Sequence, residues 1–400
     1  MKVFGFLTFL IMTYFVYGFY ISQNDLKVVN PTLKKVAESS YYDYKGIINV
    51  HSDLSIGSSP INQIIKSAKN AKLDFMILTD LNEFSEKNLV EGYFDETLIM
   101  SGSKISYLDS RFMVVPFQKQ TLGRNLGEAQ VKLADLLSQD ASSDFLVILA
   151  HPFKSGFSWT GPLPQGLDGI ELINLKSLSQ RAFDLSKLSP LWSLFVYPFN
   201  PTLSFVRLFN EPSEELTLLD SSHEYGKYYG FSGAEASARA VPIANFLVKF
   251  PSYQKTFEMF SNHVLLKSEL TGNVKSDKLK ILSALKGGNF YLAFDMLGDP
   301  KGFSCVLEDR SKSFLIGSKV KLTKNMKMKI RLPQTPNYFF ETVVYRNGSR
   351  FETVNQSEAE IEINQPGVYR VQVRVSPYFP LPDATKWITW IYTNPFYVQN

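Results

Sequence analysis

"KGIINVHSDLSIGSSP", residues 45–60, opens on an apolar run, Ile47 to Val50, that carries Asn49 and His51 to its carboxyl end with one residue between them. Side chains at i and i+2 of a strand share a face, so the pair converges on one centre, yet only the imidazole is a competent metal ligand. The stretch has the form of a metal site with half of its ligands missing. Downstream, "SPINQIIKSAKNAKL" places Ile61, Ile64, Ile65, Ala68 and Leu73 at helical spacing, with Ser59 as N-cap and Pro60 at the first helical position. "DFMILTD" follows as a strand; "ETLIMSGSKIS", "RFMVVPF", "FLVILAHPF" and "GIELINL" continue the series, with a helix at "NLGEAQVKLADLLSQ". Alternating β and α elements over residues 45–300 predict an α/β fold, a parallel sheet or barrel with helices outside, whose chemistry gathers at the carboxyl ends of the strands.

Beyond residue 300 the texture changes to period-two alternation, as in "MKMKIRLP", "FFETVVYRNGSRFETV" and "AEIEINQPGVYRVQVRV", with Asn347-Gly348 as a hairpin turn. Strands at this spacing without helices predict an antiparallel, Ig-like β-sandwich over residues 301–400, read as a spacer or as a docking module for a protein partner. The apolar segment "SPLWSLFVYPFNPTLSFVRLF", residues 189–209, is interrupted by Pro198 and Pro201, which argues against an unbroken membrane span. It predicts two short helices packed on the barrel, or else a hydrophobic surface resting on a membrane.

The chain has 400 residues, 44% of them hydrophobic and 20% charged, which describes a folded protein of two domains. A net charge of +4 without basic runs between exposed aromatics argues against nucleic acid. Cys305 is the single cysteine, so thiolate metal sites and internal disulfides are excluded, and the four histidines are His51, His151, His223 and His263. After Lys2, the run "VFGFLTFLIMTYFVYGFYI", residues 3–21, is free of charge and long enough to cross a bilayer. A cleaved signal peptide has a shorter apolar core, so residues 1–24 are read as an uncleaved anchor, residues 25–44 as a linker, and the remainder as exported, on the periplasmic or extracellular side.

The motifs from Gly46 onward resemble the PHP (polymerase and histidinol phosphatase) family of metal-dependent phosphoesterases. In that family one strand ends in H-x-H and the next in T-D-H; here they end in "NVHSDLS" and "LTDLN". The resemblance runs on in the family's order through "SGSKIS", "SRFMVVPF", "LAHPF", "DGIELIN" and "SGAEASARA". It implies a distorted (βα)7 TIM-like barrel whose histidines and carboxylates hold Zn, Mn or Fe to hydrolyse a phosphoester.

Position by position, His51 and His151 match the ligand pattern and Glu235 stands for an Asp. Asn49 and Leu81 stand for histidines, Lys104 for a bridging Glu, Arg111 near a His and Ser237 for the last His. Exchanging a carboxylate for an ammonium turns an attractive charge into a repulsive one, worth about 4 kcal/mol at ~4 Å and an effective dielectric near 20. The expected protein is therefore a non-catalytic member without a cofactor. Lys104, Arg111 and Asn49 would bind an anionic small molecule, or both cations would simply pair with Glu235, Asp80 or Glu171. The alternative is a divergent phosphoesterase with one divalent ion on His51, His151 and Glu235. Asp80, Glu171 and Asn174 are expected to order the barrel end, and His223 and His263, which match no motif, to lie on the surface or on helices.

Overall fold

The computed structural model describes residues 2–30, 41–139, 144–186, 188–238, 240–243, 246–249, 251–310 and 312–400. Residues 31–40 of the expected linker and Arg239 of "SGAEASARA" lie outside the described residues. Seven strands close a barrel: β1 (Tyr42–Val50), β2 (Phe75–Leu81), β3 (Thr97–Tyr107), β4 (Ser110–Pro116), β5 (Phe145–Ala150), β6 (Gly169–Asn174) and β7 (Tyr229–Ala236), with β7 pairing back to β1. The apolar runs that announced these strands form their buried interior. In β5 and β7 every residue is buried, as expected where both faces of a sheet are covered.

All neighbouring pairs are parallel except those of β4, which is antiparallel to β3 and β5. A tight turn joins Tyr107 to Ser110 where a βα crossover would otherwise stand. Leu108 takes φ 50° there. The reversal brings the amino end of β4, with Arg111 opposite Ala150, to the rim formed by the carboxyl ends of its neighbours.

The outer layer comprises α2 (Ile61–Asn70), α3 (Leu126–Ser138), α4 (Leu175–Leu185), α5 (Leu188–Val196), α6 (Pro201–Leu208) and α7 (Ser213–Ser222), preceded by the apolar α1 (Lys2–Ser22). α2 begins one residue later than its sequence indicates: Pro60, extended at φ −67° and ψ 155°, occupies the N-cap position and no side chain caps the helix. The segment 189–209 folds as the two short helices α5 and α6, broken at the prolines.

The first half of β1 leaves the barrel and pairs with Phe260–Leu266, which pairs with Phe290–Phe294, which in turn pairs with Ile388–Thr393. The barrel sheet thus runs without a break into the C-terminal strands. A separate four-stranded antiparallel sheet is built from Ser304–Asp309, Lys312–Leu315, Lys327–Arg331 and Glu358–Glu362. Cys305, Leu307, Met328 and Ile330 share one hydrophobic cluster with Val344, Val371, Val373 and Trp390. The Asn347-Gly348 turn joins Phe339–Arg346 to Ser349–Val354 with φ values of 48° and 78°, the left-handed geometry this dipeptide favours.

His263 is neither on the surface nor on a helix. It is fully buried in the strand Phe260–Leu266, between Asp43 at 2.8 Å and Asp295 at 3.1 Å, and stacks on Tyr291 at 4.8 Å. Burial alone would depress its pKa, but the two carboxylates outweigh burial and push it up to about 9. Because the folded value exceeds the unfolded one, His263 contributes stability that is complete below pH 6.5 and is lost as pH rises through 9. Urea denaturation is therefore expected to show a decline of on the order of 3 kcal/mol between these limits, and His263→Gln is expected to flatten it.

A candidate anion site built around a buried lysine

The barrel rim gathers Asn49 from β1, Lys104 from β3, His151 after β5, Glu171 and Asn174 from β6, and Glu235 from β7, all buried. Three of them stand where their strands depart from regular geometry: Asn49, His151 and Glu235 have φ of 63°, 36° and 46°. Such conformations cost on the order of 1–3 kcal/mol each and persist where surroundings enforce them. At Asn49 and Glu235 the pairing of β1 with its neighbours shifts register.

Lys104 occupies the centre. Its ammonium donates to Glu235 Oε2 at 2.6 Å and to Asn49 Oδ1 at 3.2 Å. The amide of Asn49 then bridges the two carboxylates, donating to Glu171 Oε1 at 2.5 Å and Glu235 Oε2 at 3.0 Å. Asn174 repeats the bridge, donating to Glu171 Oε2 at 2.8 Å and Glu235 Oε2 at 3.1 Å, and the His151 backbone N–H adds a bond of 2.7 Å to Glu171. Gly233 is required here, because a Cβ at that position would stand 1.6 Å from Glu171 Oε1.

Charges follow from this arrangement. Burial would raise the Glu235 carboxyl, but the adjoining Lys104 ammonium holds it well below the usual carboxylate range. Glu171, without an ion-pair partner among the described residues, is pushed up to about 7 by burial, against the opposing pull of Lys104 and the amide bonds. Burial, reinforced by Lys104, lowers the imidazoles of His51 and His151 to about 3. Both ring nitrogens of His51 and Nδ1 of His151 are buried and lack a hydrogen-bond partner among the described residues.

The fold places the two cations singled out in the sequence in different surroundings. Lys104 is 2% exposed and taken up by Glu235. Arg111 stays half-exposed, donates to Ser110 O at 3.1 Å and lies over the Phe157 ring at 4.4 Å. Asp80 accepts from the Ser52 amide at 2.7 Å and from the hydroxyls of Ser52 and Ser55 at 2.7 and 2.5 Å, so it fixes the loop after β1. Two further lysines reach the rim. Lys154 Nζ lies 3.8 Å and Lys176 Nζ 3.9 Å from Glu235 Oε1. Their signal was present in the sequence, since each lies two or three residues past a rim residue, in "HPFK" and "INLK".

For a metal ion the rim offers two imidazoles and a carboxylate that an ammonium already engages. The neutral rings of His51 and His151 each offer a lone pair, but Oε2 of Glu235 is already held by an ammonium and two amides. Among the described residues no group of three or more His, Cys, Asp or Glu side chains is placed to hold an ion.

No family model and no curated protein matches the chain. Several chains of solved structures match. One of them is a two-domain protein from Bacteroides vulgatus ATCC 8482 that contains a predicted PHP-like metal-dependent phosphoesterase, 12% identical, with 92% of this chain and 98% of that chain covered and a TM-score of 0.36.

Removing one member of a buried ion pair leaves the other uncompensated, at a cost of about 3–5 kcal/mol. Lys104→Met and Glu235→Leu are each expected to lose that much in urea denaturation, and the double variant to lose less than either alone. In imidazole NMR titrations, His51 and His151 are expected to stay neutral down to about pH 3 while His263 stays protonated up to about 9.

Proposed function

We propose that the protein is a PHP-like fold at the cell envelope whose barrel mouth binds an anionic small molecule and does not catalyse phosphoester hydrolysis. In this reading α1 anchors the chain with the barrel exported, and the C-terminal sheets form a sandwich open to a protein partner. The observation that carries it is the Lys104 ammonium at the centre of the rim, where the resemblance implies a bridging carboxylate. With Lys154, Lys176 and Arg111 beside it, four cationic side chains meet one firmly ionised carboxylate, Glu235, and one held near neutrality, Glu171. Lys104 and Asn49 form the floor of this site. Lys154, Lys176 and Arg111 supply charge-assisted bonds to the ligand, and the unpartnered nitrogens of His51 and His151 supply neutral ones.

Inorganic phosphate and a phosphomonoester titrated into the full chain by calorimetry provide the test. Lys154→Ala with Lys176→Ala is expected to weaken binding at least about tenfold, the loss of one or more charge-assisted bonds. Burial depresses the Lys154 ammonium to about 8, so affinity is expected to fall as pH rises through that value. No binding of either anion, or affinity indifferent to these lysines, would refute the proposal.

The unpartnered imidazole nitrogens of His51 and His151 favour one second reading, a divergent phosphoesterase with a single Zn, Mn or Fe ion on these rings and Glu235. Phosphomonoester turnover that requires added ion and disappears in His51→Ala would establish it.

A further inference from the structure

A membrane-crossing helix constrains whatever is packed against it. α1 has 21 residues, about 31 Å at 1.5 Å per residue, against a hydrocarbon layer of about 30 Å. To span, α1 needs nearly all of its length. Its carboxyl end is nevertheless built into the body of the protein: Gly18 and Ile21 are buried, and a Cβ on Gly18 would stand 2.4 Å from the Phe199 ring. Asn200 Nδ2 donates to Ile21 O at 2.9 Å and Asn24 O at 3.0 Å. Tyr14 packs on Phe199 at 5.0 Å and Phe195 at 6.1 Å, and Tyr17 packs on Trp192 at 5.5 Å and donates to Leu381 O at 2.8 Å.

Tyr14 and Tyr17 lie eight and five residues before Ser22, about 12 and 7 Å along the axis. If Ser22 stands at the boundary of the hydrocarbon, Phe195, Phe199 and Trp192 stand inside it. The composition agrees. Residues 188–206 carry no Asp, Glu, Lys or Arg. α5 turns Leu188, Leu191, Leu194 and Phe195 outward at 77%, 53%, 54% and 58% exposure, and Leu381 beside it is 74% exposed. The first charges appear at the edge of this face, where Arg207 pairs with Asp383 at 3.0 Å.

We propose that α5 lies in the plane of the membrane, with this face immersed in the outer part of one leaflet beside α1, and so holds the barrel against the lipid surface. Interfacial helices bury their apolar face about 5–10 Å into the headgroup and acyl boundary, a range that overlaps the depth of about 7–12 Å set by the α1 contacts. The inference rests on the reading of α1 as an anchor.

The test uses the full chain in phosphatidylcholine vesicles, with an environment-sensitive thiol probe at Phe9→Cys, Leu194→Cys or Leu108→Cys. These positions are 64%, 54% and 77% exposed, and the native Cys305 is buried. A nitroxide carried high on the lipid acyl chain is expected to quench the Leu194 probe by roughly half or more, as an interfacial helix requires, to quench the Phe9 probe, and to leave Leu108 on the barrel rim unaffected. Quenching at Phe9 without quenching at Leu194 would overturn the docking of α5 and leave the anchor standing. If Leu194 were then also shielded from aqueous iodide, its face would belong to a protein partner. Quenching at Leu194 without quenching at Phe9 would support docking and overturn the span. Quenching at neither position would overturn both.

Discussion

The barrel mouth depends on one buried ion pair, Lys104 with Glu235, whose side chains are each 2% exposed. Two charges are withdrawn from water there, and such a pair is tolerated only when its remaining lone pairs and protons are satisfied. Asn49 and Asn174 do this by bridging Glu235 to Glu171. The rest of the electrostatics follows from this core. The ammonium supplies the positive charge that lets Glu235 ionise, burial of Glu171 outweighs the pull of the same ammonium and raises it, and that ammonium helps to keep His51 and His151 neutral. A lysine fixed at the centre of the rim neutralises the Glu235 carboxylate there.

Much of this was legible in the sequence because it depended on local pattern. The apolar runs ending in "NVH", "LTD" and "LAH" marked strand ends, whereas the period of two applies to a regular strand end and Asn49 stands at φ 63° where β1 shifts register. Lys104 within "SGSKIS" was visible as a cation at a rim position. What escaped depended on topology or on distant pairing. The direction of the Arg111 strand escaped, because a two-residue turn at Leu108 reverses β4, and nothing in "YLDSR" distinguishes that turn from the start of a loop. His263 looked unremarkable because its partners, Asp43 and Asp295, lie 220 and 32 residues away. The run of one sheet from the barrel into the C-terminal strands rests on Phe290–Phe294 meeting Ile388–Thr393, a contact that periodicity does not encode.

The mouth and the apolar face are joined through the same helices. α4 follows directly on Asn174, which holds the carboxylates, and α6 follows α5, which carries the exposed leucines. A barrel pressed to a lipid surface by α1 and α5 would hold its anion site at a fixed distance from the membrane.

The central claim is that an ammonium stands where a metal would. It is tested most directly by elemental analysis of the full chain, purified in detergent, after incubation with Zn, Mn and Fe and removal of free ion. The account predicts no stoichiometric metal in the native protein and no change in His51→Ala. One metal per chain, lost on His51→Ala, would contradict it and place a catalytic ion at the rim.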